Sequence, residues 1–294
     1  ISRLERNFYN SHDGTDNCYG VLTGYPCCAT NMHQGWPKFV QNLWLATEDK
    51  GIAALVYAPS ELNTKLPGGA TINFKEETDY PFSDVIKFTY GSSGNIVFPF
   101  HLRVPQWCEA AEIKINGELW MQPKAGEIVK LTRKWKKNDV VELKLPMQLK
   151  TSLWFNNSVG IERGPLVYAL KVEEDWKKVK NEKDPGTYGD YYWEVYPKSD
   201  WNYALWNQGL DDFQKNFEVV AIKKPGNEPW NLQNAPVIIK AKGKKVPNWK
   251  MYNGDAGPLP YSTLPYTSDE KVEEITLVPY GCTTLRISQF PVAN

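Results

Sequence analysis

The sequence has no net charge to spend: its 34 lysines and arginines are matched by 34 aspartates and glutamates. No chain-wide field then draws it to nucleic acid or to an anionic membrane, and neither is expected as a partner. The basic runs at 177–183 and 240–245 are short and interrupted, and read as solvated surface. No apolar run approaches the ~18 residues of a membrane span, so a soluble protein is expected. A charged leader and an apolar signal region are both missing behind Ile1, which leads to the expectation of a processed or truncated product. Cysteines number five, an odd set that excludes a fully paired disulfide framework without an intermolecular bond. The adjacent Cys27 and Cys28 can pair with each other only in strained geometry, which leaves a free thiol pair or a metal site. Cys108 and Cys282 stand in apolar strand contexts and read as buried core thiols. A phosphate-binding loop is missing as well: Gly91-Ser92-Ser93-Gly94-Asn95 lies between strands, with no helix behind it. There is no internal repeat and no low-complexity tract.

Aromatic residues are what the chain has in abundance, with 12 tryptophans and 16 tyrosines. Flat rings stack on sugars as readily as they fill a core, so this content permits a carbohydrate role without demanding one. The stretch 24–44, GYPCCATNMHQGWPKFVQNLW, is the part built for chemistry. Gly24, Pro26, Asn31 and Gly35 favour a loop around Cys27 and Cys28. Trp36, Phe39, Val40, Leu43 and Trp44 then fall on one face of a helix, with Pro37 suited to its first turn. This predicts a thiol loop braced by a helix packed through two tryptophans. Ile1, Leu4 and Phe8 have the spacing of the end of an amphipathic helix, as though the chain were cut within a helical element of a larger protein.

After residues 48–51 the period switches from 3.6 toward 2. Strands are predicted at 52–57, 70–74, 85–90, 96–104, 112–115, 127–131 and 140–145, with a hairpin turn at Asn116-Gly117. Along 97–104 the set Phe98, Phe100, Leu102 and Val104 shares one face, while His101 and Arg103 share the other; Pro99 suggests an edge or a bulge. Pro146 reads as a boundary. Beyond it come two strands about the Gly164-Pro165 turn, then strands at 217–222, 237–241, 273–278 and 284–287. The polar stretch 173–190 interrupts the pattern and reads either as a packed excursion or as a loop reaching another domain. Many short strands divided by turns argue for antiparallel sandwiches.

Two thiols do not complete a zinc site, which takes four ligands, or three and an open position. The nearby candidates are Cys18, His12 and His33, but C-x8-C-C with one flanking histidine matches no standard zinc motif, and His33 reads as a hydrogen-bonded loop residue. A classical glycosidase needs paired carboxylates across a cleft. Glu48, Asp49, Glu76, Glu77, Asp79, Glu162 and Glu173 all read as ordinary surface acids.

Taken together, several motifs resemble one family in order along nearly all of the chain. They are the Cys-Cys-x-x-Asn loop within 24–44, Phe100-His101-Leu102-Arg103-Val104-Pro105-Gln106-Trp107-Cys108, Ile115-Asn116-Gly117-Glu118, Leu145-Pro146-Met147, Glu162-Arg163-Gly164-Pro165-Leu166-Val167-Tyr168 and Leu277-Val278-Pro279-Tyr280. The family is glycoside hydrolase family 127, the β-L-arabinofuranosidase-like group formerly called domain of unknown function 1680. The resemblance implies a mainly β chain: two antiparallel β-sandwich domains, at 47–147 and 148–294, preceded at 1–46 by a helical remnant of an (α/α)6 catalytic barrel. It further implies a retaining mechanism in which Cys27 is the nucleophile and a zinc ligand, and Cys28 a second zinc ligand. A carbohydrate substrate and the missing N-terminal barrel segment would be its partners. In the family the Glu-x-Cys ligands and the acid/base glutamate lie upstream of the cysteine pair, where this sequence offers Glu5 alone, so the chain by itself is expected to be inactive. Two readings from other classes stand beside this one: a non-catalytic carbohydrate-binding or structural β-sandwich module, and a thiol redox or metal-sensing protein.

Overall fold

Alternating apolar residues build the better part of the molecule. The computed structural model describes residues 2–5, 17–20, 26–182, 185–222, 224–252, 255–260 and 269–294. It divides into two units: Gln34–Leu149, and a second made of Ile1–His33 with Lys150–Asn294.

The Gln34–Leu149 unit is a β-sandwich. One sheet has six antiparallel strands in the order Glu118–Met121, Glu112–Ile115, Val140–Lys144, Val85–Tyr90, Thr71–Thr78 and Ser60–Lys65. The other runs Ile128–Trp135, Ile96–Arg103, Ile52–Ala54 and Trp44–Ala46. One core lies between them. Ile72 and Phe74, Ile86, Phe88 and Tyr90, and Phe98, Phe100 and Leu102 are its inward rows, each at period two as a pleated strand requires. Phe74 sits at its centre, with ring centroids 4.9 Å from Phe100, 5.2 Å from Tyr90 and 5.7 Å from Trp135. The indole of Trp135 donates to the Phe98 carbonyl at 2.9 Å, so its one polar atom is satisfied inside the core.

Pro99 does not mark an edge. Its strand is interior, paired with Ile128–Trp135 on one side and, in parallel, with Ile52–Ala54 on the other. The parallel ladder begins at Ile52 opposite Phe100, one residue past the proline, so no bond from an N–H at Pro99 is needed there. Gly51 makes this possible, since a Cβ at that position would collide with the Pro99 carbonyl.

At the turn before Val140–Lys144, Asp139 is buried and accepts bonds from the Asn116 amide group and the Lys136 backbone N–H, both at 2.9 Å, with Arg133 Nη2 at 3.3 Å. Burial works against the charge, but these bonds and the nearby cations hold the carboxyl below its ordinary range. Asp139→Ala, which strands those donors, is expected to cost about 2 kcal/mol in urea unfolding at pH 7; an unchanged midpoint would show that water replaces the carboxylate without loss.

In the second unit the largest sheet has the order Leu149–Leu153, Val159–Arg163, Leu166–Leu170, Val272–Pro279, Val237–Lys245, Tyr203–Trp206 and Val292–Ala293, with Glu218–Ala221 also paired to Val237–Lys245. A four-stranded sheet runs Ser2–Glu5, Asn17–Gly20, Tyr191–Pro197 and Glu174–Lys180. Three expectations are corrected here. Residues 2–5 form a strand paired with 17–20 rather than a helix end, because a four-residue segment follows the partner it can bond to rather than its own period; Ile1 and Phe8 lie outside the described residues. The stretch after Glu173 is a hairpin, with Glu174–Lys180 antiparallel to Tyr191–Pro197, and its lysines mask the alternation. Residues 284–287 hold no strand: the backbone N–H groups of Thr284 and Leu285 are taken by the Glu174 carboxylate instead of a ladder. Among the described residues no helix is long and apolar enough to cross a membrane.

Candidate functional site

The cysteine pair lies in a helix rather than a loop. That helix, Pro26–Gln41, begins at a proline, whose fixed φ and missing N–H are both suited to a first helical position. It continues through Gly35, read as favouring a loop, and through Pro37, because Ala29, Met32 and Gln34 on the near side are ordinary helix formers and carry the turn across. Pro37 sits inside it, well past the first turn. The helix closes at Asn42, whose backbone N–H donates to the carbonyls of Lys38 and Phe39 at 3.2 and 3.1 Å and whose side chain donates to Lys38 at 2.7 Å. Lys38 also sets a positive charge in the last turn, favourable to the dipole.

Cys27 and Cys28 thus occupy the first turn, about 100° apart around the axis. The side chains of Cys18, Cys27 and Cys28 lie outside what is described, as does His12 altogether. Cys18 is placed by backbone alone on the strand Asn17–Gly20. His33 is an exposed helical residue, not a loop residue. Among the described residues no three His, Cys, Asp or Glu side chains converge as a metal site.

The expected bracing by two tryptophans is corrected too. Trp36 is 71% exposed and stacks on the exposed Phe39, centroids 5.7 Å apart. Trp44 belongs to the strand Trp44–Ala46, because Asn42 ends the helix before it; its ring packs on Phe74, Phe88 and Phe100 at 6.0, 5.8 and 5.9 Å. The apolar stripe therefore divides, with Leu43 buried and Trp44 packed on the sandwich core while Trp36, Phe39 and Val40 are exposed.

One acid read as ordinary surface is buried, and another, Asp49, stays at the surface in an ion-paired cluster. Glu76 is 1% exposed: Ile72, Phe74 and Glu76 form one inward row, and that period-two row is the signal that finds it. Its oxygens accept from the Ala58 N–H at 3.1 Å and the Ser60 hydroxyl at 2.9 Å, and Ser60 accepts from the Trp44 indole at 3.0 Å. Burial pushes its carboxyl up to about 7. A carboxylic acid tuned in this way could serve as a general acid, but both of its oxygens are committed inside the core, and it serves the fold. Asp49 lies 2.8 Å from Lys130 Nζ and 3.1 Å from His101 Nε2. Lys130 first, with Thr47 and His101, holds that carboxyl far below the usual range. The pair Asp49 and His101 ties the 47–51 turn to the outward face of the Ile96–Arg103 strand. Cys108 and Cys282 are buried, in a turn and in the short 3-10 helix Tyr280–Cys282 rather than in strands; burial pushes the Cys282 thiol up to about 11 and makes it a poor nucleophile.

Residues 51–147 match the family model described as Beta-L-arabinofuranosidase, GH127 middle domain. Comparison with curated proteins gives no match. Among solved structures, the chain is similar to a GH127 beta-L-arabinofuranosidase from Geobacillus stearothermophilus T6, with 20% identity and a TM-score of 0.59, covering 90% of this chain and 37% of that one. A protein described as a glycoside hydrolase matches with 20% identity and a TM-score of 0.60 over 99% of this chain and 44% of its own. A GH127 beta-arabinofuranosidase matches with 19% identity and a TM-score of 0.57 over 91% and 40%. At these identities the structures speak for the fold, and the chain spans well under half the length of each. The middle-domain match falls on the sandwich itself: residues 51–147 are similar to the middle domain of glycoside hydrolase family 127.

Proposed function

We propose that this chain is the C-terminal part of a retaining glycoside hydrolase acting on L-arabinofuranosides or related plant-polysaccharide sugars, with Cys27 as its nucleophile. The observation that carries this reading is the position of two adjacent cysteines in the first turn of a 16-residue helix. There the unpaired backbone N–H groups and the positive end of the helix dipole favour a thiolate over a thiol. In the reaction, the Cys27 sulfur forms a bond to the anomeric carbon as the bond to the leaving oxygen breaks. That oxygen takes a proton from an acid supplied by the remainder of the protein, and water then releases the sugar from sulfur. Cys28, the next residue along the chain, would serve as a second thiolate ligand. The pair supplies half of a tetrahedral zinc set, and zinc bound there would lower the thiol pKa further. On this reading 1–46, in which 2–5 and 17–20 pair as strands and Pro26–Gln41 is helical, is the end of the barrel, and 47–147 and 148–294 are the two β-sandwich domains that follow it. A barrel segment N-terminal to this chain is the partner that would complete the site, and this chain alone is inactive on this reading.

The test compares the full-length parent with its Cys27→Ala variant on aryl L-arabinofuranosides. Turnover is expected to fall to background while circular dichroism stays unchanged. Undiminished turnover in the variant would remove Cys27 from the chemistry.

A further inference from the structure

The hairpin formed by Glu174–Lys180 and Tyr191–Pro197 carries an aromatic face on which Trp176 is exposed and Tyr191 and Trp193 are part-buried. In its register Lys178 lies opposite Trp193, Trp176 opposite Val195 and Lys180 opposite Tyr191, so these side chains share one face of the sheet. The buried ring of the hairpin, Tyr192, is on the other face. Trp176 is 37% exposed, yet its plane is fixed. Its indole donates to Glu174 at 3.0 Å, and the second oxygen of that carboxylate accepts from the Thr284 N–H at 2.7 Å and from the Leu285 N–H and the Thr283 hydroxyl, both at 3.3 Å. Tyr191 and Trp193 meet edge to face at 6.5 Å. Beside them opens a cleft of about 480 Å³ lined by Lys178, Lys180, Asn181, Pro185, Asp190 and Tyr191. Its rim is pinned by Asn181, whose backbone N–H donates to Asp190 at 2.9 Å and whose side chain donates to Gly189 at 3.1 Å.

We infer that this face is a binding site for a neutral glycan chain. Rings held in fixed planes lose little freedom when a sugar's C–H face settles on them, and they keep that surface without the entropy cost of ordering a flexible side chain. The Lys178 ammonium, 3.6 Å from the Tyr191 centroid, caps one face of that ring and supplies donors, and Asp190 supplies acceptors, for the hydroxyls at the rim. Of the lining residues, Lys178 and Lys180 face Asp190, and Glu182 just outside the cleft, 3.8 Å from Lys180, offsets the second lysine. A uronate-bearing chain therefore gains no net attraction, and the occupant that fits is uncharged. The assignment rests on the hairpin alone and stands whether or not Cys27 is a nucleophile.

The test is affinity electrophoresis of the 294-residue chain through gels containing soluble arabinan, arabinoxylan or polygalacturonate. Retardation is expected in at least one of the two neutral glycans, weakened about tenfold in apparent affinity by Trp176→Ala and by Tyr191→Ala, and untouched by Cys27→Ala. Circular dichroism confirms that the exposed-site variants remain folded. No retardation in either neutral gel, retardation by polygalacturonate only, or retardation that both aromatic variants share with the wild type would each overturn the assignment.

Discussion

Glu76→Gln is expected to stabilise the Gln34–Leu149 unit by about 3 kcal/mol at pH 8 and by much less at pH 5. The cause is the burial of a carboxyl in an inward row of the sandwich, which pushes it from an ordinary 4.5 up to about 7 despite bonds from Ser60 and Ala58. A folded state that holds the proton more tightly than the unfolded chain gains stability where both are protonated. That gain is fully present below about pH 4.5 and is lost as the pH rises through about 7, where the folded protein must carry a buried charge. Each tenfold difference in proton affinity is worth about 1.4 kcal/mol, which sets the size of the effect. Glutamine keeps the shape of the protonated acid and cannot ionise, so it escapes the penalty. Tyr57, the buried phenol that feels the Glu76 charge, is pushed well above its ordinary range by burial and stays neutral throughout this window. Urea unfolding of both proteins at pH 5 and pH 8 checks the expectation, and histidine titrations common to the two cancel in the difference. A glutamine variant no more stable than the wild type at pH 8 would mean that Glu76 is solvated in a way its surroundings do not show.

What the sequence made legible follows from which interactions are local. The strands Val85–Tyr90 and Glu112–Ile115 are readable to the residue, and the inward set Phe98, Phe100, Leu102 and Val104 is wholly buried, because a pleat with one face in a core writes itself as alternation. The cysteine pair was legible as chemistry for a different reason: adjacent thiols are rare and reactive wherever the backbone takes them. Its setting was not. Gly35 and Pro37 carry strong local preferences that the helix Pro26–Gln41 overrides, and the strand Ser2–Glu5 exists only through its pairing with Asn17–Gly20, across a stretch of chain its own period cannot report. The hairpin Glu174–Lys180 was hidden because its outward lysines lie on rings, with Lys178 Nζ 3.6 Å from the Tyr191 centroid and Lys177 Nζ 4.5 Å from that of Tyr196, where they act as partners in packing rather than as marks of a loop. Glu76 was readable in principle, but a charged residue in an apolar row is discounted by the same rule that finds the row.

Phe74→Ala is expected to cost about 3–5 kcal/mol and to lower the melting temperature of the Gln34–Leu149 unit by roughly 10–20 °C, whereas Trp36→Ala should change stability by no more than about 0.5 kcal/mol. Both are large aromatics in the same unit, so the contrast depends on surroundings alone. Phe74 is fully buried, and Trp44, Tyr90, Phe98, Phe100 and Trp135 all lie within ring-contact distance of it. Those rings are held by both sheets, and the Trp135 indole is tied to the Phe98 carbonyl, so they cannot collapse into the space a phenyl group leaves. The loss is therefore transfer energy and cavity together. Trp36 buries little beyond its stack on Phe39, and its removal exposes nothing that was dry. Guanidinium unfolding followed by tryptophan emission, with the two variants beside the wild type, separates the cases. A Trp36→Ala variant as unstable as Phe74→Ala would mean that the helix face carrying Trp36 is covered in solution, and the division of the apolar stripe at Asn42 would lose its meaning.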